Sequence, residues 1–318
     1  MLKLQDFEAA QARFGSYIQK TPVSYHQPLD VYFKWENQQN TGSFKLRGAL
    51  NKILTLSPEE LKSGLVAASS GNHGKSLAYA AQLIGVTAHI FVPWYASDVK
   101  VTAINDMGAQ VERVPGVYQD TEVRAQSVVA ETSATYVSPY NDWNGIAGAG
   151  TIGLEWLAQT PQLSRLLIPV GAGALLVGIA LAARSIRPDI EIVGIQAEAS
   201  PYLHHQFYHG HMDGIEQHPT IMEGLAGALE SSAITIDWFC QLCDQVILVT
   251  DSEVETAISC AYHQLGEVIE GSAAVGLAAV LAGKISTADK PTGVLITGGN
   301  IDMTKHQEIT RKLGADQI

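Results

Sequence analysis

From residue 64 onward, apolar runs of strand length alternate with segments of helical period. GLVAAS (64–69) precedes a helix expected over 72–85, AHIFVP (88–93) one over 97–107, QVERV (110–114) one over 119–132, and ATYVS (134–138) one over 144–160. The pattern resumes with RLLIPV (165–170) before 173–186, EIVGIQAE (191–198) before 200–209 and QVILVT (245–250) before 251–265, and it closes on TGVLITGG (292–299). Repeated strand-helix units with short connections predict an α/β fold, with mostly parallel sheets covered by helices on both faces. The strands outnumber those one compact sheet needs. Segment 64–141 is therefore expected to form a small domain with its own open sheet, and 1–63 with 142–318 a larger one. Ligands of such folds sit near the carboxyl ends of strands, between the lobes.

The partner expected is a small molecule. Twenty Lys and Arg face 32 Asp and Glu, a net charge of -12 and a pI near 5.2, which repels nucleic acid and acidic membranes. The opening MLKLQDFEAAQARFGSYI reads as an amphipathic helix, without the apolar core and cleavage site of a signal peptide, so a cytosolic location is expected. AGALLVGIALAA (172–183) and SAAVGLAAVLAG (272–283) are too short to span a membrane and read as buried helices. Three cysteines, an odd number, argue against a disulfide framework. The last strand lies close to the end of the chain, so no appended regulatory domain is expected.

Four stretches have the residue types of a site. In NTGSFKLRGALNKI (40–53), Ser43 reads as the N-cap of a helix carrying Leu46, Leu50, Ile53 and Leu54 at helical spacing. Lys45 then stands in the first turn, against the helix dipole and between Phe44 and Leu46; from spacing alone, a stem reaching water is the simpler reading. SSGNHGKS (69–76) is a strand-to-helix turn that can present N–H groups and side-chain donors to an anion, or can be an ordinary capped loop. PVGAGALLVG (169–178) also enters a helix. It fails the dinucleotide spacing, since Leu176 holds the third glycine position, and suits a monophosphate cradle or tight helix-sheet packing. In TGVLITGGN (292–300) the Thr297 hydroxyl ends a strand before paired glycines, where a planar ligand or a simple turn fits. Five histidines lie between 204 and 218, but no cysteine or HExxH-like carboxylate accompanies them, and a surface helix explains them. The lone CxxC of Cys240 and Cys243 reads as core packing.

In this order the stretches resemble the fold-type II pyridoxal-phosphate enzymes, specifically the serine/threonine dehydratase (threonine ammonia-lyase) and serine racemase family, whose fold is that of the tryptophan synthase β chain. The resemblance covers nearly the whole chain. It is carried by KWENQQNTGSFKLRGALNKI, SSGNHGKSLAYAAQLIG, GAQVERV, AGAGTIGLEWL, PVGAGALLVGIA, PTIMEGLAG, VIEGSAAVGLAAVL and ITGGN. It implies that Lys45 forms the Schiff base with pyridoxal 5'-phosphate and serves as the catalytic base. Phe44 would pack beside the cofactor, Asn72 would bond its 3-hydroxyl, and the backbone of Gly171, Ala172, Gly173, Ala174 and Leu175 would bind its phosphate. Thr297 would face the pyridine nitrogen, and a neutral hydroxyl there makes the ring a weaker electron sink than a carboxylate would, favouring β-elimination. The loop of Ser69, Ser70, Gly71, Asn72 and His73 would take the substrate carboxylate, with Ser70 on the face opposite Lys45 as a second catalytic group. The implied reaction is loss of water from L-threonine or L-serine, giving 2-oxobutanoate or pyruvate and ammonia.

The chain departs from the family at several positions. Ala172 and Ala174 interrupt what is usually a run of glycines, and Lys75 and Ala149 stand where glutamine is common. Met222-Glu223 replaces a frequent Ala-Asp near a divalent-cation site of some members, so a divalent cation is possible, with Glu223 a candidate ligand and a solvated carboxylate the plainer reading. Serine racemase, or a dehydratase of 3-hydroxyaspartate or phenylserine, is the alternative activity. A nicotinamide oxidoreductase fits the 171–178 spacing poorly, and a non-catalytic binding protein would not need Lys45. A homodimer or higher homo-oligomer is expected.

Overall fold

The computed structural model describes residues 1–313. Its strands are β1 (Val23–His26), β2 (Val31–Trp35), β3 (Leu65–Ala68), β4 (Ala88–Pro93), β5 (Gln110–Val114), β6 (Thr135–Tyr136), β7 (Arg165–Pro169), β8 (Glu191–Ala197), β9 (Gln245–Val249) and β10 (Thr292–Ile296). They form two sheets. One has the order β1-β2-β10-β7-β8-β9, with β1 alone antiparallel; the other, β5-β4-β3-β6, is parallel throughout. β3, β7 and β10 are buried along their whole length, as strands covered on both faces must be, which is why their sequences are apolar runs and not alternations.

Each strand run expected beyond residue 64 is present, with helices within a few residues of the anticipated spans. Two strands of the larger sheet escape the reading. β1 is an edge strand with two exposed residues in four, and β2 (VYFKW) carries a lysine in a fully buried position. Lys34 is tolerated there because its ammonium meets Glu155 Oε1, Gln159 Oε1 and the Thr21 carbonyl. Arg47 shares the network, with Nη2 2.7 Å from Glu36 and Nη1 3.0 Å from Glu155. Burial opposes both cations, but the two carboxylates hold Arg47 charged. The network ties helix Lys45–Leu54 to β2 and to helix Trp143–Gln159. That last helix lies backbone to backbone on helix Ala174–Ile186: a Cβ on Gly178 would fall 2.5 Å from the Ile146 carbonyl.

One capping expectation is wrong. Phe44, not Ser43, is the N-cap of helix Lys45–Leu54, and no side chain caps it. Ser43 instead pairs by a β-bridge with Gly298, its buried hydroxyl without a partner among the described residues. The pull of the β10 end on the chain has overridden the local capping preference. Among the described residues, no helix is long and apolar enough to cross a membrane.

Candidate active site

The segments after β2, β3, β7 and β10 converge at the carboxyl ends of their sheets. Phe44 N donates to the Thr297 carbonyl at 3.0 Å, which sets the start of the lysine helix against the end of β10. Lys45 Nζ lies 5.2 Å from the Phe44 ring centroid and donates to the Pro139 carbonyl at 2.9 Å. Burial pulls this ammonium down to about 8, partly opposed by the negative charge of Glu270. A neutral amine is therefore accessible near physiological pH. The Thr297 hydroxyl, with 4% of the residue exposed, has no hydrogen-bond partner among the described residues.

The turn after β3 folds back on the helix it opens, Asn72–Ile84. A Cβ at Gly74 would stand 2.2 Å from the Ser69 carbonyl, so only glycine allows this closure. Ser69 Oγ accepts from Gly71 N within the turn, and the first-turn amides of the helix have no intrahelical acceptors. Ser70 is half-buried, and its hydroxyl has no partner among the described residues. His73 faces the loop with its backbone and not with its ring. Its ring is buried and Nε2 lies 2.8 Å from the Val137 carbonyl, so it offers an anion its backbone N–H alone. Burial, then the Lys45 charge, pushes this imidazole down to about 4, which keeps it neutral.

Asn72 Nδ2 donates to Glu270 Oε1 at 2.7 Å, and Asn72 Oδ1 accepts from Asn300 Nδ2 at 2.7 Å. Neither Glu270 nor Asn300 stands out in the sequence. A glutamate before an apolar helix reads as an ordinary helix start, and an asparagine after two glycines reads as a turn. Burial raises the Glu270 carboxyl to about 7 against the opposing Asn72 amide. A Cβ on Gly298 would sit 2.6 Å from Glu270 Oε1, so the glycine makes room for it.

After β7 the backbone from Gly171 to Leu175 turns into helix Ala174–Ile186. Gly173 is its N-cap at φ +85°, and a Cβ there would also press on Leu203 at 3.0 Å. Ala172 and Ala174 have ordinary negative φ, so the alanines that interrupt the glycine run carry no strain. The first-turn amides of this helix point out of its end as an anion cradle. Thr235, whose buried hydroxyl has no partner among the described residues, lies alongside Gly173. Phe44 packs against the same apolar cluster as Leu175, which brings the cradle and the lysine turn together.

Three candidates lie elsewhere. Glu223 is exposed and held by Lys100 at 3.0 Å and Lys305 at 3.5 Å, two ammonium groups and not fellow ligands. His205 and His209 stack on the surface helix Tyr202–His209 with centroids 4.4 Å apart, and no group of three potential ligands is arranged for a metal among the described residues. Cys243 is buried, with its thiol pushed up to about 12 by desolvation, and Cys240 is half-buried.

The family model for pyridoxal-phosphate dependent enzymes matches residues 16–298. The chain belongs to that family. The enzyme is 36% identical over 318 residues to the L-threonine ammonia-lyase of Thermotoga maritima, covering 98% of this chain and 79% of the relative. Among solved structures it is similar to maize serine racemase, with a TM-score of 0.91, 31% identity and coverage of 98% and 97% of the two chains. It is also similar to a threonine deaminase from T.th., with a TM-score of 0.87, 32% identity and coverage of 95% and 99%. The architecture is that of the fold-type II enzymes. Pyridoxal phosphate fits the residues present: an amine lowered to about 8, an amide cradle beside an unpartnered threonine hydroxyl, and an apolar ring between them.

Proposed function

We propose that the enzyme is a serine/threonine dehydratase, an ammonia-lyase that removes water from L-threonine or L-serine to give an enamine, which takes water back as it hydrolyses to 2-oxobutanoate or pyruvate plus ammonia. The observation that carries this reading is the buried Lys45 amine, bonded to the Pro139 carbonyl and standing in a turn whose Phe44 N–H bonds the Thr297 carbonyl at the end of β10. Pyridoxal phosphate, once bound, supplies an electron sink that acidifies the substrate Cα–H and labilises the β-hydroxyl. The rest belongs to the chain. Lys45 would hold the cofactor through its amine and would serve as the base for the substrate Cα proton. The amides of 171–175 hold the phosphate, Asn72 bonds the 3-hydroxyl, and Phe44 and Thr297 seat the ring.

Ser69, Ser70 and Gly71, with the first-turn amides of Asn72 and His73, hold the substrate carboxylate. In this reading 1–63 and 142–318 form the cofactor domain and 64–141 the domain that brings the substrate loop to it. The neighbourhood of that loop favours an uncharged substrate side chain. Tyr118 bonds the Ala68 carbonyl at 2.9 Å, and Glu122 and Glu230 stand by Tyr118 and Tyr140, so a second substrate carboxylate would meet negative charge. Racemisation of serine is the second reading, favoured by the unpartnered Ser70 hydroxyl and by the likeness to serine racemase. Three free cysteines support a cytosolic location, and a homo-oligomer is proposed with it.

The test is an absorption spectrum of the purified protein, followed by 2-oxo acid release from L-threonine and L-serine, with Lys45→Ala as control. A visible cofactor band lost in Lys45→Ala, together with oxo acid from either substrate, is the expected result. A band with D-serine formed and no oxo acid would move the assignment to the racemase, and no band after cofactor addition would overturn it.

A further inference from the structure

We propose that Lys75 is a positioning residue: through Asn300, and together with the Thr41 carbonyl, it holds the way the Asn72 amide faces, and so which group this chain offers to the cofactor 3-oxygen. The inference rests on the cofactor placement proposed above and adds to it the device that orients Asn72.

A carboxamide has two nearly isosteric orientations, oxygen and nitrogen exchanged, and its neighbours decide between them. Here the neighbours form a chain with one direction. Lys75 has donors only, and its Nζ lies 2.7 Å from Asn300 Oδ1. That pins the oxygen of Asn300 toward Lys75. Its NH2 group is left to donate at 2.9 Å to the Thr41 carbonyl, which can only accept, and at 2.7 Å to Asn72 Oδ1. Asn72 is thereby held with its oxygen toward Asn300 and its NH2 group toward Glu270, where it donates at 2.7 Å. One N–H of Asn72 remains for a further acceptor. Turning Asn300 over would face its NH2 to the Lys75 ammonium and its oxygen to the Thr41 carbonyl and Asn72 Oδ1, so Lys75 and the Thr41 carbonyl hold the same direction from the two ends of the amide.

The surroundings are shaped to admit this chain. A Cβ on Gly42 would stand 2.8 Å from Asn300 Oδ1, and one on Gly298 would stand 2.6 Å from Glu270 Oε1. Thr41 is held to the Asn72 helix by Thr41 Oγ1 and Ser76 Oγ at 3.0 Å. The position of Lys75 matters chemically: a glutamine there can present either an oxygen or an NH2 group, so it does not dictate a direction, whereas an ammonium does.

The experiment compares wild type, Lys75→Met, Lys75→Arg and Asn300→Asp as holoenzymes. The readouts are the pyridoxal phosphate Kd, the ratio of the long- and short-wavelength bands of the cofactor bound to Lys45, and thermal unfolding of the cofactor-free protein. Lys75→Met, which keeps the stem and loses the donors, is expected to raise Kd about fivefold to tenfold and to shift the band ratio, and Lys75→Arg to restore both. Asn300→Asp keeps the pairing with Lys75 but turns an oxygen toward Asn72 Oδ1, so it is expected to shift the ratio further; it carries the test alone if Lys75→Met does not fold. A wild-type band ratio in a folded Lys75→Met would overturn the inference whatever Asn300→Asp shows, as would a loss of stability without a spectral change or, where Lys75→Met does not fold, a wild-type ratio in Asn300→Asp. No cofactor band in wild type would overturn the parent reading as well, which separates the two failures.

Discussion

Lys45 is a case where placement, not residue type, makes the chemistry. An exposed lysine keeps its proton to above pH 10, but burial brings this one to about 8, so about a tenth of it is neutral at pH 7 and half at pH 8. Cofactor capture by the cofactor-free protein, followed as growth of the visible band, should accelerate about tenfold per pH unit below pH 7 and level off above about pH 8.5. A rate still climbing through pH 10 would show an unperturbed amine. Glu270 has the opposite sign. Its folded value is raised from 4.5 to about 7, so burying its charge costs stability that first appears as pH rises through about 4.5 and is full above about 7. Glu270→Gln should therefore stabilise the cofactor-free protein at pH 8 by at most about 3 kcal/mol and have almost no effect at pH 4, while weakening cofactor binding. Equal unfolding midpoints for the two proteins at pH 8 would refute the assignment of that shift to burial.

At the scale of elements, the lysine helix is held by charges that look misplaced in the sequence. Glu155, held below its usual range by Arg47 and Lys34 in spite of burial, compensates both cations at the junction of β2, helix Lys45–Leu54 and helix Trp143–Gln159. Glu155→Gln should cost about 3–5 kcal/mol, because it leaves buried positive charge uncompensated. Denaturant unfolding checks this, and a loss under 1 kcal/mol would mean that water reaches the network. The same residues show where sequence reading stops. Runs such as RLLIP and TGVLI announce themselves because strands covered on both faces admit only apolar residues. β2 does not, since Lys34 breaks the pattern and its partner lies far along the chain at Glu155. Local signals similarly made Ser43 an N-cap, where the bridge to Gly298 decides otherwise. In the site, the glycine-rich turns and Lys45 were legible from motif and resemblance, but Glu270 and Asn300 acquire meaning only when the fold brings them to Asn72.

Across the whole molecule, Leu46, Leu50 and Ile53 of the lysine helix share an apolar cluster with the smaller sheet, and at the surface a carboxylate, Glu223, spans the two layers. Its carboxylate joins Lys100, on the helix after β4, to Lys305, on the helix after β10, bridging the smaller sheet's layer and the larger's. Exposed pairs of this kind contribute about 0–1 kcal/mol and are screened by salt. In the two-domain arrangement proposed above, their effect should therefore fall on how readily 64–141 approaches the rest of the chain over substrate, and little on global stability. Glu223→Gln is expected to raise KM up to about fivefold at low ionic strength with kcat unchanged, and the difference should vanish near 0.5 M salt, where the screening length is about 4 Å. The unfolding midpoint should stay within about a degree of wild type. A metal ligand would behave differently: its removal would alter the response to added divalent cation or to a chelator, and that response would not fade with monovalent salt in parallel with KM. Kinetics with and without chelator, at two salt concentrations, thus separate the roles. A salt-independent loss of cation response in Glu223→Gln would return this carboxylate to the role of metal ligand, and a purely salt-dependent KM would fix it as the clasp between the lobes.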